Sequence, residues 1–355
     1  MTSDVPNSSP FVIRPYQAGD ESSLVELFHR AYGRLTTVEH WRWKLKGQAS
    51  AVENVWLALS EDKPVFQYAG IPTRFQLAQS PTVIMVSVDT MTAPEFRRRG
   101  LLTQVAARVY AGWRENGVSF VIGLPNQQWG SRPAVLGIQA LFPLHWLVRP
   151  LRPEAIIARR LHIPFLKYAT IPTLLWNRIL SGRVRRHPEF QTESIRHANE
   201  AFDQIWERCK TDWMFSTVRD REWVDWRFLA SPARAYELTL AWRAGKPAGY
   251  SAHALVKTEH NTVAHLVDLF AARTDYATRD TLLCELIEKL RTTQADALFT
   301  LAVPGTPYFQ WLRRAGFFPR SAFSVQVMPL NAQLPINLMH DPNNWNLTGA
   351  DFDVI

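Results

Sequence analysis

Two long stretches of this chain run in step with one another. Val88-Asp89 falls on Val267-Asp268 when the sequence is shifted by 179 positions, and Phe120, Pro125 and Gly137 fall on Phe299, Pro304 and Gly316. The apolar-periodic segment 101–116 lands on "DTLLCELIEKLRTTQA" without a gap. Upstream, "HWRWKLKGQ" is echoed by "EWVDWRFLASP" and "EDKPVFQYAG" by "AGKPAGYSAH". A repeat of this length constrains the architecture more than any single motif, because each copy must be one folding unit of the same kind.

The unit itself is mixed. "FVIRPYQAGDESSLVELFHRAYG" reads as a short strand, a turn and a helix, with Asp20 at the N-cap position and Leu24, Leu27 and Phe28 on one face. Two strand-like runs flank the "EDKP" turn, and "TVIMVSVDTM" is rich in β-branched residues. "LLTQVAARVYAGWREN" has helical spacing and stops near Gly117, and "VSFVIGLP" reads as a buried strand. The expected class is therefore α/β with mixed sheets, in two tandem units. The expected boundaries are 1–145 for the first unit, 146–195 for a basic apolar linker, 196–328 for the second unit and 329–355 for a tail. The paired tryptophans Trp41/Trp43 and Trp223/Trp226 recur at one place in both copies and read as packing.

The copies differ at one loop. The first carries "APEFRRRGLL", and Arg97, Arg98, Arg99 and Gly100 face Tyr276, Ala277, Thr278 and Arg279 in the second. A strand that ends, a glycine and a helix start together make a natural anion site. Backbone N–H groups are unpaired there and the helix dipole is positive. Glycine lets the backbone approach a phosphate, and arginines add charge-assisted hydrogen bonds. The loop is neither a Walker A sequence, having no Gly-Lys-Ser/Thr, nor a dinucleotide fingerprint, having a single glycine.

This segment resembles the coenzyme A loop of the Gcn5-related N-acetyltransferases, whose pattern is Arg/Gln-x-x-Gly-x-Gly/Ala. Here it reads Arg97-x-x-Gly100-x-Leu102, with leucine at the last position. The resemblance covers residues 11 to about 140, and about 200 to 325 as a degenerate copy. "DTMTAP" before the loop is similar to a subgroup found with surface-polysaccharide genes, and "RRRGLL" to the tandem enhanced-intracellular-survival acetyltransferases. The resemblance implies that Arg97, Arg98, Arg99, Gly100, Leu101, Leu102 and Thr103 hold the pyrophosphate of acetyl-CoA or another acyl-CoA. It implies that Met91 and Thr92 lie along pantetheine, and that the acceptor is a small-molecule or sugar amine. Asp89, at the end of the same strand, is the candidate catalytic base. Glu95 ranks below it because bound phosphates would repel it. The tyrosine that often protonates the leaving thiolate has no counterpart in "NQQWGSRPAVLG", where Asn126 and Ser131 could hydrogen-bond the cofactor or a water. Some tandem relatives bring the terminal carboxylate to an active site, and this chain ends "DFDVI".

Charge narrows the remaining options. Of 40 basic and 32 acidic residues, nine basic and one acidic lie between Arg149 and His187, and the rest of the chain is balanced. That is unlike the uniformly basic surface of many nucleic-acid binders. The segment mixes these cations with Leu, Ile, Phe and Trp. It suits either a linker packed across the two units or peripheral contact with an anionic membrane. Fem-type aminoacyl transfer from charged tRNA is the alternative within the same fold, and a non-catalytic membrane-surface scaffold is the alternative outside it. Cys209 and Cys284 form no metal or redox spacing, and no histidine pair does, so no metal is expected. The first seventeen residues do not read as a secretory signal, and no run of about eighteen apolar residues occurs. The expected location is cytoplasmic, with the inner membrane face as the place of any peripheral contact.

Overall fold

The computed structural model describes residues 11–125, 136–163, 184–258 and 261–353. It contains one continuous sheet. In the first half run β1 (Val12–Pro15), β2 (Val55–Ser60), β3 (Lys63–Leu77), β4 (Ser80–Thr92), β5 (Val118–Gly123) and β6 (Gln139–Pro150). In the second run β7 (Phe190–Ile195), β8 (Phe215–Thr217), β9 (Tyr236–Arg243), β10 (Lys246–Lys257), β11 (Thr262–Ala271), β12 (Ala297–Ala302) and β13 (Phe318–Pro329), followed by the short β14 (Trp345–Asn346). Helices α1 (Glu21–Tyr32), α2 (Val38–Lys46) and α3 (Leu101–Glu115) belong to the first half.

Local chemistry explains most of these elements. Three hairpins close through two-residue turns in which both residues have positive φ: Glu61-Asp62, Ala78-Gln79 and Ala244-Gly245. Such turns match the right-handed twist of the flanking strands. Helix α1 buries Leu24 and Leu27 and ends at Gly33 (φ +68), whose N–H donates to the His29 carbonyl. Asp20 sits at the N-cap position but does not cap; its carboxylate accepts from Arg14 and from the Gln17 N–H instead. The ion pair with Arg14 competes for the lone pairs that a cap would need. Thr37 does cap α2, accepting from the His40 N–H.

The order of strands is β1-β2-β3-β4-β5-β13-β6-β12-β11-β10-β9-β7. β5 begins at Val118 and β12 at Ala297, 179 positions on; β6 begins at Gln139 and β13 at Phe318, again 179 positions on. The halves have therefore exchanged their last strands. β13 pairs antiparallel with β5 of the first half, β6 pairs antiparallel with β12 of the second, and β6 and β13 pair with each other at the centre. Gly137 and Gly316, both at positive φ, lead into these two strands.

A second symmetric contact lies off the sheet. Trp43 and Trp226 stack with ring centroids 5.5 Å apart. Each indole donates to the other's carbonyl, at 2.8 and 3.0 Å. One tryptophan of each recurring pair thus meets its counterpart across the repeat. After β13 the chain returns to the first half. β14 pairs with β8, which pairs with β3, and Trp345 packs among Phe75, Phe120, Phe142 and Phe215. Part of the basic segment is taken up inside the protein where it is described. Arg149 is buried and donates to the Ala315 carbonyl, Arg159 pairs with Asp296, and Arg186 with Glu285 and Glu288. Among the described residues no helix is long and apolar enough to cross a membrane.

Candidate functional site

Strands β4 and β5 run parallel from Val83 and Val118 as far as Val86 and Ile122, and then part. At the same level β4 is bulged. Gln67 pairs with Met91 and Ala69 with Val88, so Tyr68 faces both Asp89 and Thr90, and Asp89 takes φ +45. A bulge re-aims side chains and frees backbone from the ladder. Here it opens the parting between two cavities, which share Tyr32 and Thr90 in their walls.

The outer cavity, about 340 Å³, is lined by Met91, Thr92, Arg97, Arg98, Arg99, Gly100, Leu101, Leu102 and Thr103. All nine loop and strand-end residues singled out in the sequence therefore meet at one place. Arg98 and Gly100 have φ +64 and +74, and no side chain caps α3, so the first-turn N–H groups are left to a ligand or to water. Arg97 is anchored on the Ala31 carbonyl at 3.0 Å. Arg99 lies over the Phe96 ring at 4.9 Å and donates to the Glu95 carbonyl. Glu95 is turned onto Arg30 and does not line the cavity. Asn126 and Ser131 lie outside the described residues.

The inner cavity, about 190 Å³, has apolar walls that include Val88, Ile122, Leu124, Met328 and Phe352. Its polar groups are Ser87, Gln326 and the hydroxyls of Tyr68 and Tyr110, which share a hydrogen bond of 2.7 Å. One end is ionic. Lys44 Nζ lies 2.6 Å from Asp89 Oδ2 and 2.8 Å from Asp353 Oδ2. Burial opposes the charge on Lys44, but the two carboxylates outweigh it and raise its pKa above the ordinary value. The Asp89 side chain is 12% exposed and the Asp353 side chain 30%. Burial, reinforced by Asp353, lifts Asp89 above the usual carboxylate range despite Lys44. Asp353 is also penalised by burial, but Lys44 overcomes this and holds it below that range. Two carboxylates sharing one cation thus titrate apart. Tyr32, whose hydroxyl donates to the Thr90 carbonyl at 2.9 Å, is pushed well up by burial and by Asp89.

Lys44, Asp353 and Tyr32 belong to no sequence motif. Lys44 carried a faint signal, as a cation between Trp41 and Leu45 on the buried face of α2. Asp353 had none beyond its place near the chain's end. It arrives from 309 residues away in sequence.

The second half is built differently at the matching positions. Asp268, the counterpart of Asp89, is 1% exposed. It accepts from Arg219 at 3.0 Å, Tyr250 at 2.7 Å and Thr348 at 3.0 Å. Arg219 also pairs with Asp351. Arg279 stands where the first half has Gly100, and Asp275 caps the helix Tyr276–Thr292 with its own carboxylate. The chain supplies internally the anion that the first loop leaves to a ligand.

The first half thus presents a splayed parallel strand pair with a glycine-opened helix start at its mouth. Residues 12–133 match the family model described as acetyltransferase (GNAT) domain. Similar solved structures extend the likeness of fold over both halves. A probable N-acyltransferase of unknown function from Enterococcus faecalis V583 superposes with a TM-score of 0.66 at 11% identity, over 91% of this chain and 74% of that one. A GCN5-related N-acetyltransferase from Anabaena variabilis gives 0.66 at 13%, over 90% and 73%. One from Kribbella flavida gives 0.60 at 12%, over 91% and 72%. No curated protein sequence matches the chain.

Proposed function

We propose that this chain is an acyl-CoA-dependent N-acyltransferase, with acetyl-CoA as the first donor to test, acting on a compact amine. The carrying observation is the junction at Thr90. On one side lies a cavity walled by the loop and its arginines; on the other lies a cavity ending in Asp89 and Asp353, which share Lys44. The donor's pyrophosphate meets the N–H groups of the Arg97–Thr103 turn, and its arm runs along the free edge of β4 at Met91 and Thr92. The ammonium of the acceptor is drawn to the two carboxylates, whose joint charge exceeds that of Lys44.

Asp89 takes a proton from the ammonium. The amine nitrogen then attacks the thioester carbonyl, the C–N bond forms, and the C–S bond breaks. The thiolate leaves with a proton from the Tyr32 phenol, which burial holds protonated, and the Tyr32 oxygen regains one from the nitrogen as it sheds its second proton to become the amide. A backbone N–H on the outward edge of β4 polarises the carbonyl. Most of the rate comes from holding amine and thioester together. The similarity of the "DTMTAP" stretch to polysaccharide-linked relatives puts amino sugars first among acceptors to screen.

Thermal unfolding with and without acetyl-CoA, for the wild type and for Gly100→Trp, tests the donor site. A ligand at a hundredfold over its dissociation constant adds about 2.7 kcal/mol, which shifts the melting temperature by several degrees. A shift in the wild type that is lost in folded Gly100→Trp supports the reading. No shift with acetyl-, propionyl- or succinyl-CoA overturns it.

A further inference from the structure

The second half holds a buried cation with no counter-charge. Arg279 is 3% exposed, and its Nε and Nη1 have no hydrogen-bond partner. Its guanidinium lies between the rings of Tyr276 and Tyr308, 5.5 and 5.6 Å from their centroids. It forms no ion pair among the described residues. The nearby carboxylate of Asp275 is committed to the Thr278 N–H, the Thr278 hydroxyl and Arg243. Buried charges in folded proteins are ordinarily paired, and an unpaired one needs an explanation such as a bound ion.

Arg279 lines a cavity of about 30 Å³ together with Arg273, Tyr308, Asn343 and Asn346, and no acidic residue lines it. The Arg273 guanidinium forms no ion pair among the described residues; it donates to the Asp212 carbonyl at 3.3 Å, while the Arg273 backbone N–H takes up an Asp212 carboxylate oxygen at 2.7 Å. Two cations and two amides therefore surround a space that takes about two water-sized spheres. That is room for a small monovalent ion. Burial pulls the Arg279 pKa below its ordinary value, and the hydroxyls of Tyr308 and Tyr276 with the carboxylates of Asp275 and Asp212 do not restore it.

We propose that this pocket binds a small monovalent anion, of the size of chloride, between Arg279 and Arg273. The site is distinct from the loop cavity, since it uses a side chain where the first half uses a glycine. Two of its walls, Asn343 and Asn346, lie on the segment that runs on to Asp353. The ion would thus pin that segment where it leaves the second half.

The test is unfolding of the full chain in chloride against gluconate at constant ionic strength. In the wild type, stability should rise with the logarithm of chloride concentration once that exceeds the dissociation constant, by about a hundredfold in the folded-to-unfolded ratio at a hundred times that constant. Arg279→Met should melt no lower than the wild type without chloride and should not respond to chloride. Anomalous scattering from crystals soaked in bromide gives a second readout on the unaltered protein. A bromide peak beside Arg279 supports the proposal. Equal stability in chloride and gluconate, or a peak-free pocket holding only water, overturns it, as does a chloride response retained in Arg279→Met. None of these readouts depends on acyl transfer.

Discussion

Asp89 and Asp268 occupy one position of the repeat and do opposite things. Asp268 is buried, and both of its oxygens are engaged inside the protein, by Arg219, Tyr250 and Thr348. Asp89 has one close partner, Lys44, and faces a cavity. Position in the repeat could be read from sequence, but the difference in partners could not, because Lys44 and Asp353 are supplied by a helix and by the end of the chain. Since burial raises Asp89, its ionisation costs folding free energy. That cost is absent below the unfolded carboxylate pKa and appears as pH rises through the higher folded value. Asp89→Asn should therefore melt no lower than the wild type at pH 7. It should lose about 10²- to 10⁴-fold in kcat/KM, the usual contribution of a general base. Retention of activity within threefold would place the base elsewhere. Lys44→Gln removes the attraction that opposes the rise, so the acidic limb of kcat/KM should move to higher pH. An unmoved limb in the folded variant would show that Lys44 does not set the protonation of Asp89.

At the scale of elements, the local signals in the sequence were sufficient for the EDKP turn and for both ends of α3, at Gly100 and before Gly117. They were not sufficient for Asp20, which bonds Arg14 instead of capping α1, or for the Ala78-Gln79 turn, whose residues carry no turn signal. Packing between elements was not legible in the same way, and the glycines show why. Gly100 has φ +74, and an added Cβ would meet only Gln104 Nε2 at 3.6 Å. Its conformation, not its surroundings, asks for glycine. Gly249 sits in ordinary strand backbone, yet an added Cβ would lie 2.6 Å from the Phe270 carbonyl and 2.9 Å from Thr278 Cγ2. There the neighbouring strand and the helix Tyr276–Thr292 impose the requirement, and no turn motif announces it. Gly100→Asn should thus cost less than about 1 kcal/mol, because asparagine tolerates the left-handed region. Gly249→Ala should cost about 1–3 kcal/mol through overpacking. Chemical denaturation of both variants checks the order; the reverse order would mean that the strand yields more readily than the loop.

At the scale of the whole molecule, the 179-residue offset announced two copies but was silent on which copy each last strand would join. β6 and β13 occupy the same position in the repeat, and β5 and β12 offer equivalent edges, so local pattern does not separate a closed pairing from an exchanged one. The exchange is settled by the assembled sheet, in which β13 also pairs with β6 along most of its length. Its consequence is that neither half is complete by itself. Residues 1–163 lack β13 and leave the β5 edge unpaired; residues 164–355 lack β6 and leave β12 unpaired. An open edge of buried, apolar strand invites association with other chains. Each fragment expressed alone should therefore be aggregated or non-cooperative. The two expressed together should recover as a one-to-one complex with a single melting transition. The intact chain should likewise unfold in one step, with the Trp43–Trp226 stack and the Asp353–Lys44 ion pair breaking as the sheet comes apart. A fragment that melts cooperatively as a monomer would show that the exchanged strands add to two independently stable halves. In that case the inner cavity, walled by Met328 and Gln326 of β13, would be an interface feature of docked domains and not part of a single fold.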